Sequence, residues 1–174
     1  MKSTKPIKLK ATLTKSRSGW YFLRFPKEIG LRFQTDPKTR RVVCTLNDSH
    51  TFQCALLPAK DEFCIGISKT IREKLGMDDG DLVSVELVAD TSKYGAAMPE
   101  VFAEVLNQDS EGDRLFHALT AGKQRSLIYM IASVKNIDKR IHLALIVVEH
   151  LKRNGGRVIG EQLYEEMKRP LAEF

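Results

Sequence analysis

One segment of this chain occurs twice. Residues 21–46 read YFLRFPKEIGLRFQTDPKTRRVVCTL, and residues 63–87 read FCIGISKTIREKLGMDDGDLVSVEL. Shifted by 42 residues, Tyr21 falls on Phe63, Leu23 on Ile65, Phe25 on Ile67, Lys27 on Lys69, Ile29 on Ile71 and Phe33 on Leu75. Each copy spells a short alternating strand, a helix of one or two turns and a second strand. A unit that small cannot bury its own apolar face, but two of them can close a barrel around a shared pseudo-two-fold axis. The expected fold class is α+β: a small N-terminal β-barrel built on this internal repeat, followed by a C-terminal helical bundle.

Flanking patterns extend the reading. Ile7, Leu9, Ala11 and Leu13 alternate with Lys8, Lys10 and Thr12, the period of a half-buried strand with a basic outer face. Pro26 suits the first position of a short helix, and Gly30 is expected to limit it. Asp36-Pro37 marks a turn in the polar loop that follows. Val42–Leu46 and Thr51–Leu57 are the next strands, joined by the four-residue hairpin Asn47-Asp48-Ser49-His50, with Phe52, Cys54 and Leu56 on one face and Pro58 as the stop. In the second copy Ser68 caps a helix carrying Ile71 and Leu75, Gly76 stops it, and Gly80 takes a positive φ in the turn Asp78-Asp79-Gly80-Asp81. Val83, Val85 and Leu87 then alternate into the core.

Near Ala89 the character changes. Residues 90–97 are small and polar and read as a linker, so the expected domains are 1–90 and 96–170. Beyond Pro99 the apolar period becomes 3.6. Val101, Phe102, Val105 and Leu106 form one helical face, and Leu115, Phe116 and Leu119 a second. Thr120 caps a third helix carrying Leu127, Ile128, Ile131 and Val134. Ile137, Ile141, Ala144, Leu145, Val148 and Leu151 form the longest stripe, ended by Asn154-Gly155-Gly156. Gly160 to Arg169 is weakly helical.

Charge is unevenly placed. Of 28 Lys+Arg and 22 Asp+Glu, residues 1–41 hold 12 and 2. The positive field therefore arises from the first strand, the first copy and its loop, and such a field attracts anions. Lys8, Lys10, Arg24, Lys38, Arg40 and Arg41 are the expected contacts, and Trp20 beside Arg24 is an aromatic candidate for base stacking. No apolar run approaches the roughly 18 residues of a membrane span, and the basic start lacks the apolar region of a secretory signal. The expected compartment is the cytoplasm, where Cys44, Cys54 and Cys64 stay reduced.

Other chemistry finds no support. The three cysteines, spaced by ten on predicted strands, read as small core-facing residues. His50, His117, His142 and His150 form no zinc-ligand spacing. The acidic turn at 78–81 lacks the alternating ligands and closing glutamate of a calcium loop. Nucleotide-binding and hydrolase signatures are absent. No enzyme activity, metal or cofactor is expected.

The second copy, through Lys69, Ile71, Arg72, Leu75, Gly76, Gly80, Asp81 and Val83, resembles a pattern shared by two groups. One is the swapped-hairpin transcription factors of the AbrB/MazE type. The other is a domain of unknown function that precedes a helical YdeI/OmpD-associated domain. The flanks GWYFLRFPKEI and TFQCALLPAKDEFCIGISKTIR resemble the second group over nearly all of residues 5–90. With two copies in one polypeptide, the resemblance implies a double-split, AbrB-like barrel completed within one chain. Residues 98–157 resemble the YdeI/OmpD-associated, or bacteriocin-protection, domain. Phe116, Leu119, Thr120, Lys123 and Arg125 fit the first part of its motif, and Ile131, Lys135 and Arg140 the second. Asn136, Lys139, His142 and Leu143 replace a lysine, a threonine and two arginines, so the basic cluster is thinned. The resemblance implies Lys135 and Arg140 as remaining anion contacts, and a role in tolerance to bacteriocins or antimicrobial peptides.

The leading expectation is a non-enzymatic cytoplasmic binding protein of that kind, with a protein, peptide or polyanion partner. The alternative is an AbrB-like regulator that contacts nucleic-acid phosphates through the first copy. A third possibility is an enzyme or small-ligand binder in a groove between barrel and bundle, with no substrate named by the sequence. Oligomeric state is left open.

Overall fold

The computed structural model describes residues 5–33 and 40–170. It is an α+β chain, a curled antiparallel sheet of seven strands forming a half-barrel, followed by helices. The chain divides into two units, Met1–Thr91 and Ser92–Phe174.

The first unit runs β1 (Ile7–Lys15), β2 (Tyr21–Pro26), α1 (Lys27–Arg32), β3 (Arg41–Leu46), β4 (His50–Ala55), β5 (Leu57–Ala59), β6 (Glu62–Ile67), α2 (Lys69–Leu75) and β7 (Leu82–Ala89). The sheet order is β4-β3-β7-β1-β2-β6-β5. Its pairing is written in the repeat. Leu23 pairs with Ile65, its own counterpart in the other copy, while Tyr21 pairs with Ile67 and Phe25 with Phe63. Exchanging the copies reproduces the same three pairs. The closing strands pair in the same self-complementary way, with Thr45 opposite Glu86, Cys44 opposite Leu87 and Leu46 opposite Val85.

Two stretches each serve two neighbours. Ile7–Thr12 of β1 pairs with β7, and Leu13–Lys15 with β2. Likewise β4 pairs with β3 and β5 with β6, with Leu56 alone between them. The Leu56 N–H donates to the Arg40 carbonyl at 2.9 Å and so extends the β3–β4 ladder by one residue. Alternation sends Leu13, Leu23, Phe25, Val42, Cys44, Leu46, Ile65 and Leu87 inward, all fully buried, with Phe33 beside them.

Several local expectations are met. Ser68 Oγ accepts from the Ile71 N–H at 3.3 Å, and Gly76 closes α2 in the left-handed region. Gly80 has φ 89°. Others are corrected. Pro26 closes β2 and stands at the N-cap of α1, one position before the first helical residue. Gly30 lies inside α1 and is buried there. A Cβ at Gly30 would stand 2.0 Å from Phe63 Cδ2, so its glycine serves a close packing contact. Pro58 lies within β5, a terminal strand where its missing N–H breaks no ladder. The hairpin after β3 has three connecting residues, because His50 already pairs with Leu46, and Asn47 and Asp48 turn the chain with positive φ. Cys44 and Cys54 belong to the core, but Cys64 does not. Phe63, Ile65 and Ile67 face inward, so Cys64 takes the other face, opposite Arg24, where it is nevertheless buried. The turn expected at Asp36-Pro37 lies outside the described residues.

The second unit comprises α3 (Glu100–Gln108), α4 (Ser110–His117), α5 (Ala121–Ala132), α6 (Ile137–Arg153) and α7 (Gly160–Glu166). Thr120 caps α5 as expected. α6 packs against each of the other four helices. Its middle is buried nearly all round, through His142, Leu143, Ala144, Ile146, Val147, Val148, His150 and Leu151. The expected stripe therefore holds at Ala144, Val148 and Leu151, while Leu145 is only half-buried. Ile137 and Ile141 are 51% and 39% exposed. A helix with neighbours on several sides has no single apolar line, and here the phase moves to Leu143 and Val147. Within the segment read as linker, Ala96 is buried and Tyr94 packs against the core of this unit. No helix among the described residues is long and apolar enough to cross a membrane.

Candidate functional site

The basic face comes first. Lys8 and Lys10 project from the polar side of β1 and are exposed, as the alternation of that strand requires. Lys8 Nζ stands 3.9 Å from Glu86 on the neighbouring strand. Arg24 is exposed on β2 and lies 3.3 Å from Glu62. Trp20 is 68% exposed. Arg40 and Arg41 are half-buried, and the Arg40 guanidinium sits 4.6 Å above the Phe63 ring. Lys38 lies outside the described residues. Lys8 and Lys10 thus share one strand face, Lys8 and Arg24 each stand beside a carboxylate, and Arg40 lies over an aromatic ring.

The counterpart ring carries an arginine too. Arg72 lies 3.7 Å over Tyr21. The Tyr21 hydroxyl donates to Asp78 Oδ1 at 2.9 Å, and Arg72 approaches the same oxygen at 3.8 Å. The Asp79 N–H, then the Tyr21 hydroxyl, hold the Asp78 carboxyl below the usual aspartate range. The thiols are held the other way. Cys44 is raised above the ordinary thiol range, first by its hydrogen bond with Cys54 and then by burial, and Cys64 is raised by burial. Neither is a ready thiolate at neutral pH.

In the helical unit, Lys135 is exposed, and Arg140 Nε donates to the Val134 carbonyl at 2.7 Å, bracing the corner between α5 and α6. Beside this corner lies a cavity of about 380 Å³. Val134, Leu143, Ile146, Met167 and Pro170 give it apolar walls, and Lys139 and Arg169 supply positive charge. His142, also in the lining, shares a 3.0 Å hydrogen bond with the Arg169 carbonyl, which only accepts, so Nε2 donates.

Residues 10–87 match the family model of a domain of unknown function, DUF1905. The match runs from within β1 to within β7, so the DUF1905 stretch is the curled sheet with both repeat copies. It agrees with the part of the resemblance that concerned a domain of unknown function. Comparison with curated proteins finds no match.

Two polar clusters outside the DUF1905 stretch escape the sequence reading. His150 and Glu166 are both buried and share a 2.8 Å hydrogen bond. The Ile159 N–H donates to His150 Nε2 at 3.0 Å, so Nδ1 carries the proton and donates to Glu166. This pair ties α6 to α7 and to the chain that enters it. The second cluster is Tyr94, His117 and Asp113. The Tyr94 hydroxyl lies 2.8 Å from His117 Nε2, and Nδ1 lies 3.1 Å from Asp113 Oδ1. Its one sequence signal is the spacing of four between Asp113 and His117 on a predicted helix. Tyr94 falls in the segment read as linker.

Proposed function

We propose that this chain is a cytoplasmic, non-enzymatic binding protein whose helical unit seats an apolar peptide segment by its free carboxylate, in keeping with its likeness to bacteriocin-protection domains. The cavity beside the α5–α6 corner carries this reading. Its walls suit one or two apolar side chains, each worth about 1.5–3 kcal/mol when fully buried. Lys139 and Arg169 provide partners for a carboxylate, and charge-assisted hydrogen bonds of this kind are the strong ones. The test is a titration of short leucine-rich peptides ending in a free acid or an amide, followed by fluorescence anisotropy. The acid should bind at least about tenfold more tightly, a difference of about 1.4 kcal/mol, and Lys139→Glu should erase that preference. Equal binding of acid and amide, or none, overturns the reading.

A second reading is favoured by the self-complementary pairing of β2 with β6 and of β3 with β7. That pairing is what a double-split, AbrB-like barrel requires, and with it comes a role as a nucleic-acid-binding regulator. Lys8 and Lys10, exposed side by side on one face of β1, are the cations from which phosphate contact would start. Binding of labelled duplex DNA should then collapse between about 50 and about 200 mM salt and weaken in a Lys8→Ala/Lys10→Ala variant. Absence of binding at the lower salt retires it.

A further inference from the structure

The cluster at Tyr94 has a direction. His117 Nδ1 faces the Asp113 carboxylate at 3.1 Å and the Asp113 carbonyl at 2.9 Å. Both are acceptors, so Nδ1 carries the proton and Nε2 presents a lone pair. The Tyr94 hydroxyl, 2.8 Å away, therefore donates to Nε2. A hydroxyl donating to a histidine whose other ring nitrogen is held by a backbone carbonyl, with a carboxylate 3.1 Å away, is the arrangement of an activated nucleophile.

The surroundings fit. The Tyr94 ring leans on buried Phe116, with centroids 6.0 Å apart, which fixes the ring. Tyr94 is half-buried, and the side chains of His117 and Asp113 are 32% and 47% exposed, so a small molecule can reach the hydroxyl. Lys93 Nζ stands 5.0 Å from the ring centroid and places positive charge beside a developing phenolate. A hydrogen bond to Tyr94 is the first cause holding the Lys93 ammonium above the ordinary lysine range.

The geometry points to Tyr94 as a site of covalent O-acylation, with His117 as the base that takes its proton and Asp113 as the residue that positions His117. Tyr94 Oη bonds to the acyl carbon of an activated ester, and the bond from that carbon to the leaving oxygen breaks. The phenolic proton passes to His117 Nε2 and then to the leaving group. No oxidant or reductant enters.

The molecule contains its own control. Tyr164 is 61% exposed and has Lys168 4.5 Å above its ring, but no histidine is hydrogen-bonded to its hydroxyl among the described residues. The full chain is treated with p-nitrophenyl acetate, and acetyl groups are located by peptide mass spectrometry over time. Tyr94 should be acetylated about a hundredfold faster than Tyr164, the lower end of what a positioned base supplies. His117→Gln should bring Tyr94 down to the rate of Tyr164 with the circular dichroism spectrum unchanged. If that variant does not fold, Asp113→Asn tests the same relay and should slow Tyr94 alone. Labelling that follows exposure with Tyr164 first, labelling of Lys93 in place of Tyr94, or an unchanged Tyr94 rate in the folded variants overturns the proposal.

Discussion

The first copy of the repeat starts its helix at Pro26 and hides its glycine, whereas the second starts at Ser68 and ends on its glycine. Pro26 makes no side-chain capping bond, while Ser68 accepts one from the Ile71 N–H. Gly30 is pressed against Phe63, a residue of the other copy, and Gly76 stands in open space with φ 61°. The strand pairing is nevertheless the same from either side. Strand pairing is thus insensitive to how each helix is begun and ended. The first copy relies on contact across the repeat, and the second on local backbone chemistry.

The largest expected effect breaks the cross-copy contact. Gly30→Ala places a Cβ 2.0 Å from Phe63 Cδ2 and 2.4 Å from Cγ. Three ring atoms of buried Phe63 are met at once, which puts the cost at or above the upper end of the roughly 1–3 kcal/mol of overpacking and well beyond the gain of about 1 kcal/mol that alanine brings to a helix. Urea denaturation should show a net loss, and Gly30→Ala combined with Phe63→Leu should recover part of it. Full additivity of the two changes would show that they do not meet. Next comes Gly76→Ala, which meets no atom but forces a left-handed backbone, at a cost of about 1–2 kcal/mol. Ser68→Ala should follow at about 1 kcal/mol, with Pro26→Ala smaller because no capping bond is lost. A larger loss at Pro26 than at Ser68 would reverse the contrast between the copies.

The smallest effect concerns acid. The Asp78 carboxyl is held low by the Asp79 N–H and the Tyr21 hydroxyl. A carboxyl whose folded pKa lies below its unfolded one contributes stability at neutral pH, and that contribution is lost as pH falls through the folded pKa. Thermal melts in the acid range should therefore fall less steeply for Tyr21→Phe than for the parent chain. Parallel curves would remove Asp78 from the account.

Much of the sheet is legible in the sequence because the repeat carries its own register: with Leu23 and Ile65 as counterparts, an antiparallel pair between them is self-consistent. Ser68, Gly76 and Gly80 are legible because caps and turns are decided within a few residues. Gly30 is not, since its reason is a ring more than thirty residues away in sequence. Periodicity misreads the phase of α6 at Ile137 and Ile141 because a helix surrounded by others loses the single stripe that periodicity looks for. It misplaces Cys64 because equal spacing in sequence does not keep phase across turns of different length. Of the anion contacts, the exposure of Lys8 and Lys10 follows from alternation alone, but the stacking of Arg40 on Phe63 depends on tertiary geometry. Composition hides Tyr94, since a small polar stretch reads as a connector even when one aromatic in it packs.

The single residue between β4 and β5 has a consequence for association. The outermost strands of an open sheet offer unpaired backbone groups to any passing extended chain, and this is how sheets recruit strands and aggregate. Here both outermost strands are one continuous piece of chain, joined through Leu56. A foreign strand adding along one rim soon meets the place where the polypeptide crosses to the other, and the shared template is only a few residues long on the β5 side. The sheet is guarded against recruitment by its connectivity, without needing charge or a covering helix to do it.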